Sequence, residues 1–353
     1  MTIPRVEQEV TKYFQMEIVK PATKPPDISA VNPRKGNSIF FHETSCRSRK
    51  AGKLVLKLRQ ACSVESAARA NPALDVYVLV ASPAIIKNEG DQNDKIIQAL
   101  LRYRNIHIKH VHLEKYLDDT PVRDLYYSGK IESSQWSISH MSDVLRFVSL
   151  WKYGGIYLDL DVIVIKTLEN LVPNFTGLEL SSVAAAGIMG FDYQGKGHQW
   201  VEDCLIELNR DYRPDLWSHN AIGILNRNLK NKICKVDKVE KMKPEICDGF
   251  KLYTQREFYP ISYWELNKFF DHKLLESAKK KLNKAWTVHL WNKLTENHLV
   301  SLSPNNSLIE YLAKEYCPFC TTTKGGMGTT RAFYVQTRPR CSQDTTCLPT
   351  TMC

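Results

Sequence analysis

The chain has 353 residues, of which 43% are hydrophobic and 24% charged, and its formal net charge is +10. This length is sufficient for one large α/β domain with a substantial core, or for two small ones. No run of eighteen apolar residues occurs, which excludes a membrane-spanning helix in this sequence, and the basic residues are too dispersed to indicate a nucleic-acid partner.

Three regions of the chain differ in composition. Residues 1–36 are polar and proline-dotted, which is typical of a stem or linker. Residues 321–353 lose all periodicity, and we expect a disordered tail there. Residues 37–320 lie between them and are predicted to form a single folded domain.

The folded domain alternates between predicted strands and helices. A continuous apolar run predicts a buried strand at 76–81, and further strands are predicted at 38–41 and 106–111. Ser63 as N-cap and the stop at Asn71-Pro72 predict a helix at 63–71, and further helices are predicted at 94–104, 199–209 and 221–229. Such alternation indicates βαβ units with parallel pairing. The expected fold class is therefore α/β, with a Rossmann-like open sheet flanked by helices.

The most informative stretch covers residues 142–164, with the sequence SDVLRFVSLWKYGGIYLDLDVIV. Apolar residues at three- and four-residue spacing predict a helix, for which Ser142 is a suitable N-cap. Gly154 and Gly155 are expected to end this helix, because glycine adopts the left-handed conformation at little cost. The β-branched and aromatic residues that follow predict a strand.

That strand carries two carboxylates, Asp159 and Asp161, which alternation places on the same side. A solvated strand end is the usual explanation for such a pair, but here it lies in an apolar run, where buried charge needs a partner. A divalent cation is suitable, because it prefers oxygen ligands. Asp143 and Arg146, one helical turn apart, add a hydroxyl acceptor and a cationic donor nearby, although they could also form an ion pair on the helix surface.

This order of residues resembles the core of metal-dependent glycosyltransferases, in which S-D-x-x-R…Y-G-G-x-Y-x-D-x-D recurs. More closely, the chain resembles the α-1,4-galactosyltransferase and α-1,4-N-acetylglucosaminyltransferase family. Besides the core, the matching segments are IFFHETSC, ACSVESAARANP, FYPISYW and TVHLWN, and they lie within residues 38–317. The resemblance implies a GT-A-type sheet, with residues 37–320 as the catalytic domain.

The resemblance also implies a reaction. A retaining enzyme would transfer galactose, N-acetylgalactosamine or N-acetylglucosamine from a UDP-sugar, in α-1,4 linkage, to a glycolipid or glycan acceptor such as lactosylceramide. Mn²⁺ bound by Asp159 and Asp161 would neutralise charge on the departing phosphate. The alternative is a catalytically inactive glycan- or nucleotide-binding module on the same fold.

Further site residues follow from the same resemblance. His42, Glu43 and Thr44 would lie against the uridine or ribose, unless they form a turn without a ligand. Asp143 and Arg146 would bind sugar hydroxyls or the ribose.

Two later segments complete the implied site. Asn220 is at the family position where a polar side chain faces the anomeric carbon, although Ser218 or Asn220 could equally cap the next helix. His289 would contact the metal or the UDP phosphates, with Asn292 steadying its loop at the substrate; a packed core histidine is the alternative. The small residues at 181–190 permit close approach, either to packed strands or to the donor sugar.

The ten cysteines and the sequons at Asn174 and Asn305 suit an oxidising lumen. Members of the family are usually Golgi membrane proteins with a short N-terminal anchor and a luminal catalytic domain. We therefore expect a Golgi membrane enzyme whose anchor lies upstream of this sequence.

Several cysteines are candidates for disulfides. Cys234 with Cys247, and Cys46 with Cys62, are the predicted pairs. Residues 317–320 have Cys-x-x-Cys spacing, but no second cysteine or histidine pair completes a zinc site.

Overall fold

The computed structural model describes residues 22–238, 241–242, 247–295 and 307–322. Its strands are β1 (Ser38–Glu43), β2 (Asp75–Val80), β3 (Ile106–His110), β4 (Gly155–Leu158), β5 (Val162–Val164), β6 (Phe175–Leu180), β7 (Val183–Phe191), β8 (Lys251–Tyr253) and β9 (Thr287–His289). Its α-helices are α1 (Arg47–Ala51), α2 (Leu58–Ala70), α3 (Gln92–Leu101), α4 (Leu113–Leu117), α5 (Arg123–Tyr127), α6 (Ser137–Tyr153), α7 (Gly195–Arg210), α8 (Ile224–Asn228), α9 (Gln255–Phe258), α10 (Asn267–Phe270), α11 (Leu275–Leu282), α12 (Asn292–Thr295), α13 (Leu308–Tyr316) and α14 (Pro318–Thr322). Short 3₁₀ turns lie at Ile28–Ala30 and His272–Leu274, and π-helical turns at His219–Gly223 and Leu229–Ile233.

Within these residues, seven strands form one mixed sheet in the order β3-β2-β1-β4-β7-β6-β8. The first four strands are parallel to one another, β7 is antiparallel to β4, and β6 is antiparallel to β7. Helices α2 and α3 connect successive parallel strands, which confirms the predicted βαβ units and the open α/β sheet. The carboxyl ends of β1 and β4 meet at one edge, where ligands bind in sheets of this kind.

Both faces of the sheet are covered, which explains why every residue of β1 is buried. Phe40 packs on one face with residues of α6, and Ile39 and Phe41 pack on the other with residues of α2. The continuous apolar run that predicted this strand therefore reflects burial on two sides.

Two predicted helices begin earlier in the structure than the sequence indicated. Ser142 is an interior residue of α6, and Ser63 is an interior residue of α2, so neither serine is an N-cap. Ser63 Oγ donates to the carbonyl of Arg59, the bond that lets a serine occupy a helix interior. The end of α6 was predicted correctly, since Gly154 has a positive φ of 62°.

Residues 22–36 pack on the sheet, so the predicted linker does not extend to residue 36. Ile28 is fully buried in the core, and Thr23 pairs with Ile86 in an isolated bridge. Arg34 Nε donates to Asp75 Oδ2 at 2.6 Å. Buried side chains, a backbone bridge and an ion pair together hold this segment on the sheet. Residues 1–21 and 323–353 lie outside the described ranges.

Two disulfides connect described residues. The predicted bond between Cys234 and Cys247 is present. The predicted pairing of Cys46 with Cys62 is wrong, because Cys62 bonds to Cys317, where α2 packs beside α13. Cys317 of the Cys-x-x-Cys segment is thus a structural cysteine. In the described part of the chain, no helix has both the length and the apolar character to cross a bilayer.

Candidate active site

The two aspartates of the central stretch lie in a turn between β4 and β5, and the prediction of a single strand through them is wrong. The backbone N–H of Asp159 still donates to Gly187 at 2.9 Å, but Val162 N–H donates back to the Asp159 carbonyl at 3.0 Å. This turn directs the chain out of the main sheet. Strand β5 then pairs with β9 in a small antiparallel sheet.

That pairing brings His289 to the aspartates. Val162 is directly opposite His289 in the register of the two strands. His289 Nε2 lies 3.2 Å from Asp161 Oδ1 and 3.7 Å from Asp159 Oδ2. One ligand atom from each of the three residues falls within 4.8 Å of the others. The three side chains predicted as metal ligands therefore converge, although His289 follows Asp161 by 128 positions in the sequence.

The electrostatics of this cluster suit a cation. Burial raises the pKa of Asp161, and the neighbouring Asp159 charge adds to that effect. Burial alone would also raise the pKa of Asp159, but Arg146 and His289 reverse the shift and hold it below the usual range. Burial lowers the pKa of His289, but the two carboxylates outweigh it and the net shift is upward. Two partly buried carboxylates and a buried imidazole form a donor set that fits a divalent transition metal.

Asp143 and Arg146 of α6 are buried and line the same cavity, so they do not form the surface ion pair that the sequence left open. Arg146 Nη2 lies 2.9 Å from Asp143 Oδ1 and 3.4 Å from Asp159 Oδ1, and Nη1 donates to the Ala186 carbonyl at 2.8 Å. Burial raises the pKa of Asp143 to about 7, against the lowering effect of Arg146. Arg146 thus connects the helix to the aspartate turn.

His42 does not line the cavity, contrary to the expectation that it lies against the nucleotide. It is buried, with Nε2 2.9 Å from Ser149 Oγ and its ring 5.2 Å from that of Tyr157. Burial and the Arg146 charge lower the pKa of His42 to about 3, so the ring is neutral. Tyr157 Oη in turn donates to Asp159 Oδ1 at 2.6 Å. His42 therefore supports a side chain that positions Asp159.

Its two neighbours in the predicted turn differ from each other. Thr44 lines the cavity, and its Oγ1 donates to the Ile138 carbonyl at 2.8 Å. Glu43 is buried away from the cavity and accepts hydrogen bonds from Ser45 N at 2.8 Å and Gln60 Nε2 at 2.7 Å. Of the three residues, only Thr44 is placed to touch a ligand.

The two predicted asparagines act on the protein itself. Asn220 is fully buried and bonds both backbone groups of Arg213, with Oδ1 accepting at 2.8 Å and Nδ2 donating at 2.7 Å. It neither caps the following helix nor lines the cavity, whereas its neighbour Ser218 does line it. The backbone N–H of Asn292 donates to Asp161 Oδ2 at 2.8 Å, and its side-chain Oδ1 accepts from Arg59 Nη1 at 3.3 Å, while its role at the substrate stays a prediction.

The cavity beside the cluster has a volume of about 440 Å³, within the range of small-molecule sites. Sequence reasoning missed several of its lining residues, among them Glu179, Trp217, Tyr259, Tyr263, Trp291 and Lys293. Both tyrosines, Tyr259 and Tyr263, belong to the FYPISYW segment, whose resemblance to the family could have identified them as site residues. Trp291 has a positive φ of 54°, unusual for a bulky residue, and its N–H faces His289 Nδ1 at 3.3 Å.

Comparison with known proteins shows that the aspartate turn and His289 each lie in a region that matches a known protein family. Residues 58–177 match the glycosyltransferase sugar-binding region containing the DXD motif, and residues 193–323 match the alpha 1,4-glycosyltransferase conserved region. Lactosylceramide 4-alpha-galactosyltransferase of Mus musculus is 32% identical over 287 residues, which cover 80% of this chain and 74% of that protein. Alpha-1,4-N-acetylglucosaminyltransferase of Homo sapiens is 26% identical over 261 residues, 73% of each chain. Among solved structures, PaToxG glycosyltransferase superposes with a TM-score of 0.41 at 14% identity and covers 69% of this chain and 87% of its own.

Proposed function

The chain belongs to the α-1,4-glycosyltransferase family, and we propose that it transfers one sugar residue from a UDP-sugar to a glycolipid or glycan acceptor. The transferred sugar is galactose, N-acetylgalactosamine or N-acetylglucosamine, and the new linkage is α-1,4 with retention at the anomeric carbon. The name of the mouse relative supports galactose and lactosylceramide as the first donor sugar and acceptor to test, and that of the human relative supports N-acetylglucosamine as the second donor sugar.

One observation carries this proposal: Asp159, Asp161 and His289 converge beside a cavity of small-molecule size. Family members contain the DXD region in which the two aspartates fall. These three side chains would hold a divalent cation, for which we propose Mn²⁺. When bound, the cation supplies positive charge to the diphosphate as the bond to the anomeric carbon breaks.

The protein's own residues orient the donor in this scheme. Arg146 spans Asp143, Asp159 and the Ala186 carbonyl, so its guanidinium is fixed before a ligand arrives. Such preorganisation lowers the cost of positioning a sugar for reaction. The bond from the anomeric carbon to the phosphate oxygen breaks with its electron pair leaving on UDP. The acceptor oxygen then bonds the same face of that carbon and gives up its proton to a phosphate oxygen.

The mouth of the cavity supports a carbohydrate acceptor. Trp217 and Tyr263 line it and are each 39% exposed, and Trp264 beside them is 58% exposed. Aromatic faces pack against the apolar faces of sugar rings and exclude water that would hydrolyse the donor. A glycan terminus is the acceptor chemistry that this rim favours.

We further propose that the enzyme works in the Golgi lumen, at the membrane. The disulfides Cys62–Cys317 and Cys234–Cys247 support an oxidising compartment. Secretory expression followed by thiol counting under denaturing, non-reducing conditions tests this; reactive thiols at both pairs would contradict it.

The function itself is tested by incubating the purified chain with each of the three UDP-sugars and lactosylceramide, with Mn²⁺ or with EDTA. We expect a product heavier by one hexose or one N-acetylhexosamine in mass spectrometry, formed only with Mn²⁺, and α-1,4 linkage by glycosidase digestion. An inactive binding module would instead bind UDP in calorimetry but give no product with any donor or with a panel of neutral glycolipids.

A further inference from the structure

Tyr259 contains a buried hydroxyl that the proposed mechanism does not use. The side chain is 1% exposed and lines the cavity, yet its Oη has no hydrogen-bond partner among the described residues. A buried hydroxyl without a partner costs free energy, so such groups in native proteins call for an explanation. A ligand hydroxyl that enters the cavity would supply the partner.

Two glycines on neighbouring strands make room for this tyrosine. A Cβ at Gly177 of β6 would lie 3.0 Å from Tyr259 Cε2. A Cβ at Gly187 of β7 would lie 3.4 Å from Tyr259 Oη and 2.7 Å from Asp159 Oδ2. The hydroxyl and the metal-binding carboxylate therefore border the same small space, which opens only because residue 187 lacks a side chain.

Glu179 adds a second group without a partner to this wall of the cavity. It lies on β6, where the pairing with β7 shifts register between Leu178 and Leu180. Such a bulge changes the direction in which a side chain points from the strand. Glu179 lines the cavity, and no described residue forms a hydrogen bond or ion pair with it. Burial raises the pKa of Glu179. The charge of His289 acts to lower this pKa, and the charge of Asp159 acts to raise it.

The chemistry of these two groups selects the part of the donor that they can bind. A tyrosine hydroxyl donates or accepts, and a carboxylate accepts, which together match a sugar hydroxyl. A phosphate would be repelled by Glu179. The donor hexose is bonded directly to the phosphate that the metal cluster would hold, so groups next to Asp159 reach the sugar ring.

We propose that Tyr259 and Glu179 form a subsite that hydrogen-bonds one ring hydroxyl of the donor hexose and thereby selects the transferred sugar. This inference rests on the proposed function and assigns two residues to the recognition of the donor sugar. Sites built to hydrogen-bond a hydroxyl reject analogues that lack it far more strongly than apolar pockets reject a methylene.

The first test compares binding of UDP with binding of the UDP-sugar that the wild type uses, both in the presence of Mn²⁺. We expect Tyr259→Phe to weaken UDP-sugar binding roughly tenfold, and Glu179→Gln by a similar or larger factor, with UDP affinity unchanged. Tyr253→Phe is the matched control, because Tyr253 packs on Phe258 in the same core without lining the cavity. An equal loss for UDP and UDP-sugar, or no loss for either, would overturn the subsite.

The second test identifies the hydroxyl with donor analogues that each lack one ring hydroxyl. The wild type should lose affinity for one of these analogues, and Tyr259→Phe should lose less affinity for the same analogue, because only its Glu179 hydrogen bond to that hydroxyl remains. If the loss of affinity caused by Tyr259→Phe and the loss caused by the missing hydroxyl simply add for every analogue, Tyr259 does not contact the sugar. A wild type that binds neither UDP nor any UDP-sugar would overturn the proposed function, and the subsite with it.

A stability measurement separates this role from packing. Tyr259→Phe removes a hydroxyl without a partner, so the midpoint of thermal unfolding without ligand should stay level or rise. Tyr103→Phe should lower the midpoint, because Tyr103 Oη donates to Glu65 at 2.8 Å in a buried site. A fall of several degrees for Tyr259→Phe would show that its hydroxyl already has a partner in the free protein, which contradicts the subsite.

Discussion

At Asp143, burial and ion pairing act in opposite directions, and burial dominates. The pKa of this carboxyl is raised from 3.8 to about 7, in spite of the Arg146 guanidinium 2.9 Å away. Between those two pH values the folded protein holds a proton that the unfolded chain has lost. The stabilisation from this proton is complete at low pH and disappears as the pH rises towards 7.

Replacement of Asp143 by Asn should therefore change how stability depends on pH. The stability of the wild type relative to Asp143→Asn should fall between pH 5 and pH 7, by at most about 1.4 kcal/mol per pH unit, and then level off. Chemical denaturation at several pH values measures this. Asp124→Asn is the control, since the Asp124 side chain is 81% exposed. A pH-independent difference for Asp143→Asn would contradict the raised pKa.

The structure brings together the three side chains that residue types alone predicted as metal ligands, and their metal binding stays a prediction. Asp159, Asp161 and His289 converge as expected, because carboxylates and an imidazole in apolar surroundings need each other or a cation. His42 and Asn220 instead serve buried networks. The sequence could not separate these cases, since a polar residue near a strand or helix end satisfies a ligand or its own backbone equally well.

Among the elements, β7 matters most for the site, because its glycine lies against the aspartate turn. Gly187→Ala would place a Cβ 2.7 Å from Asp159 Oδ2, and this carboxylate is held in place by contacts with Tyr157 and Arg146. We expect this variant to bind UDP with Mn²⁺ at least about tenfold more weakly, because the metal ligand is displaced. Calorimetric titration measures the effect.

Gly190→Ala in the same strand is the informative contrast. Its Cβ would meet Phe175 in the core, not the site. It should therefore lower the unfolding temperature, while the folded fraction keeps wild-type affinity for UDP. If Gly187→Ala retained wild-type affinity, the close approach of β7 to Asp159 would be irrelevant to function.

The order and type of the elements were largely predictable, but the path of the chain through the site was not. Apolar runs located β1 and β2 to within about two residues, because burial on both faces leaves an unbroken signal. The break between β4 and β5 had no such signal, since Asp-Leu-Asp continues the alternation of a strand. Only the pairing of β5 with β9, a contact between distant segments, reveals why the chain turns there.

At the scale of the whole molecule, the disulfide between Cys62 and Cys317 joins segments 255 residues apart, and that between Cys234 and Cys247 spans 13. Loop-closure entropy assigns about 5 kcal/mol to the longer loop and about 3 kcal/mol to the shorter. We expect Cys317→Ala to lower the unfolding temperature more than Cys247→Ala under non-reducing conditions.

Reduction of the disulfides should remove the difference in unfolding temperature between the wild type and Cys317→Ala. Equal unfolding temperatures for the two proteins before reduction would show that the bond between α2 and the C-terminal segment does not form. The luminal location proposed for the enzyme would then lose its main support.

The central claim is that Asp159, Asp161 and His289 hold the cation on which donor binding depends, and Asp161→Asn tests it most directly. This change removes a carboxylate charge without removing bulk, so the fold should persist. UDP titrations with and without Mn²⁺ should show a Mn²⁺-dependent gain in affinity for the wild type and none for Asp161→Asn. Asp91 is the control, because it belongs to an acidic cluster with Glu89 and Asp94 that Lys53 already neutralises. Asp91→Asn should keep the Mn²⁺-dependent gain in UDP affinity of the wild type. A full Mn²⁺-dependent gain in Asp161→Asn would contradict the account.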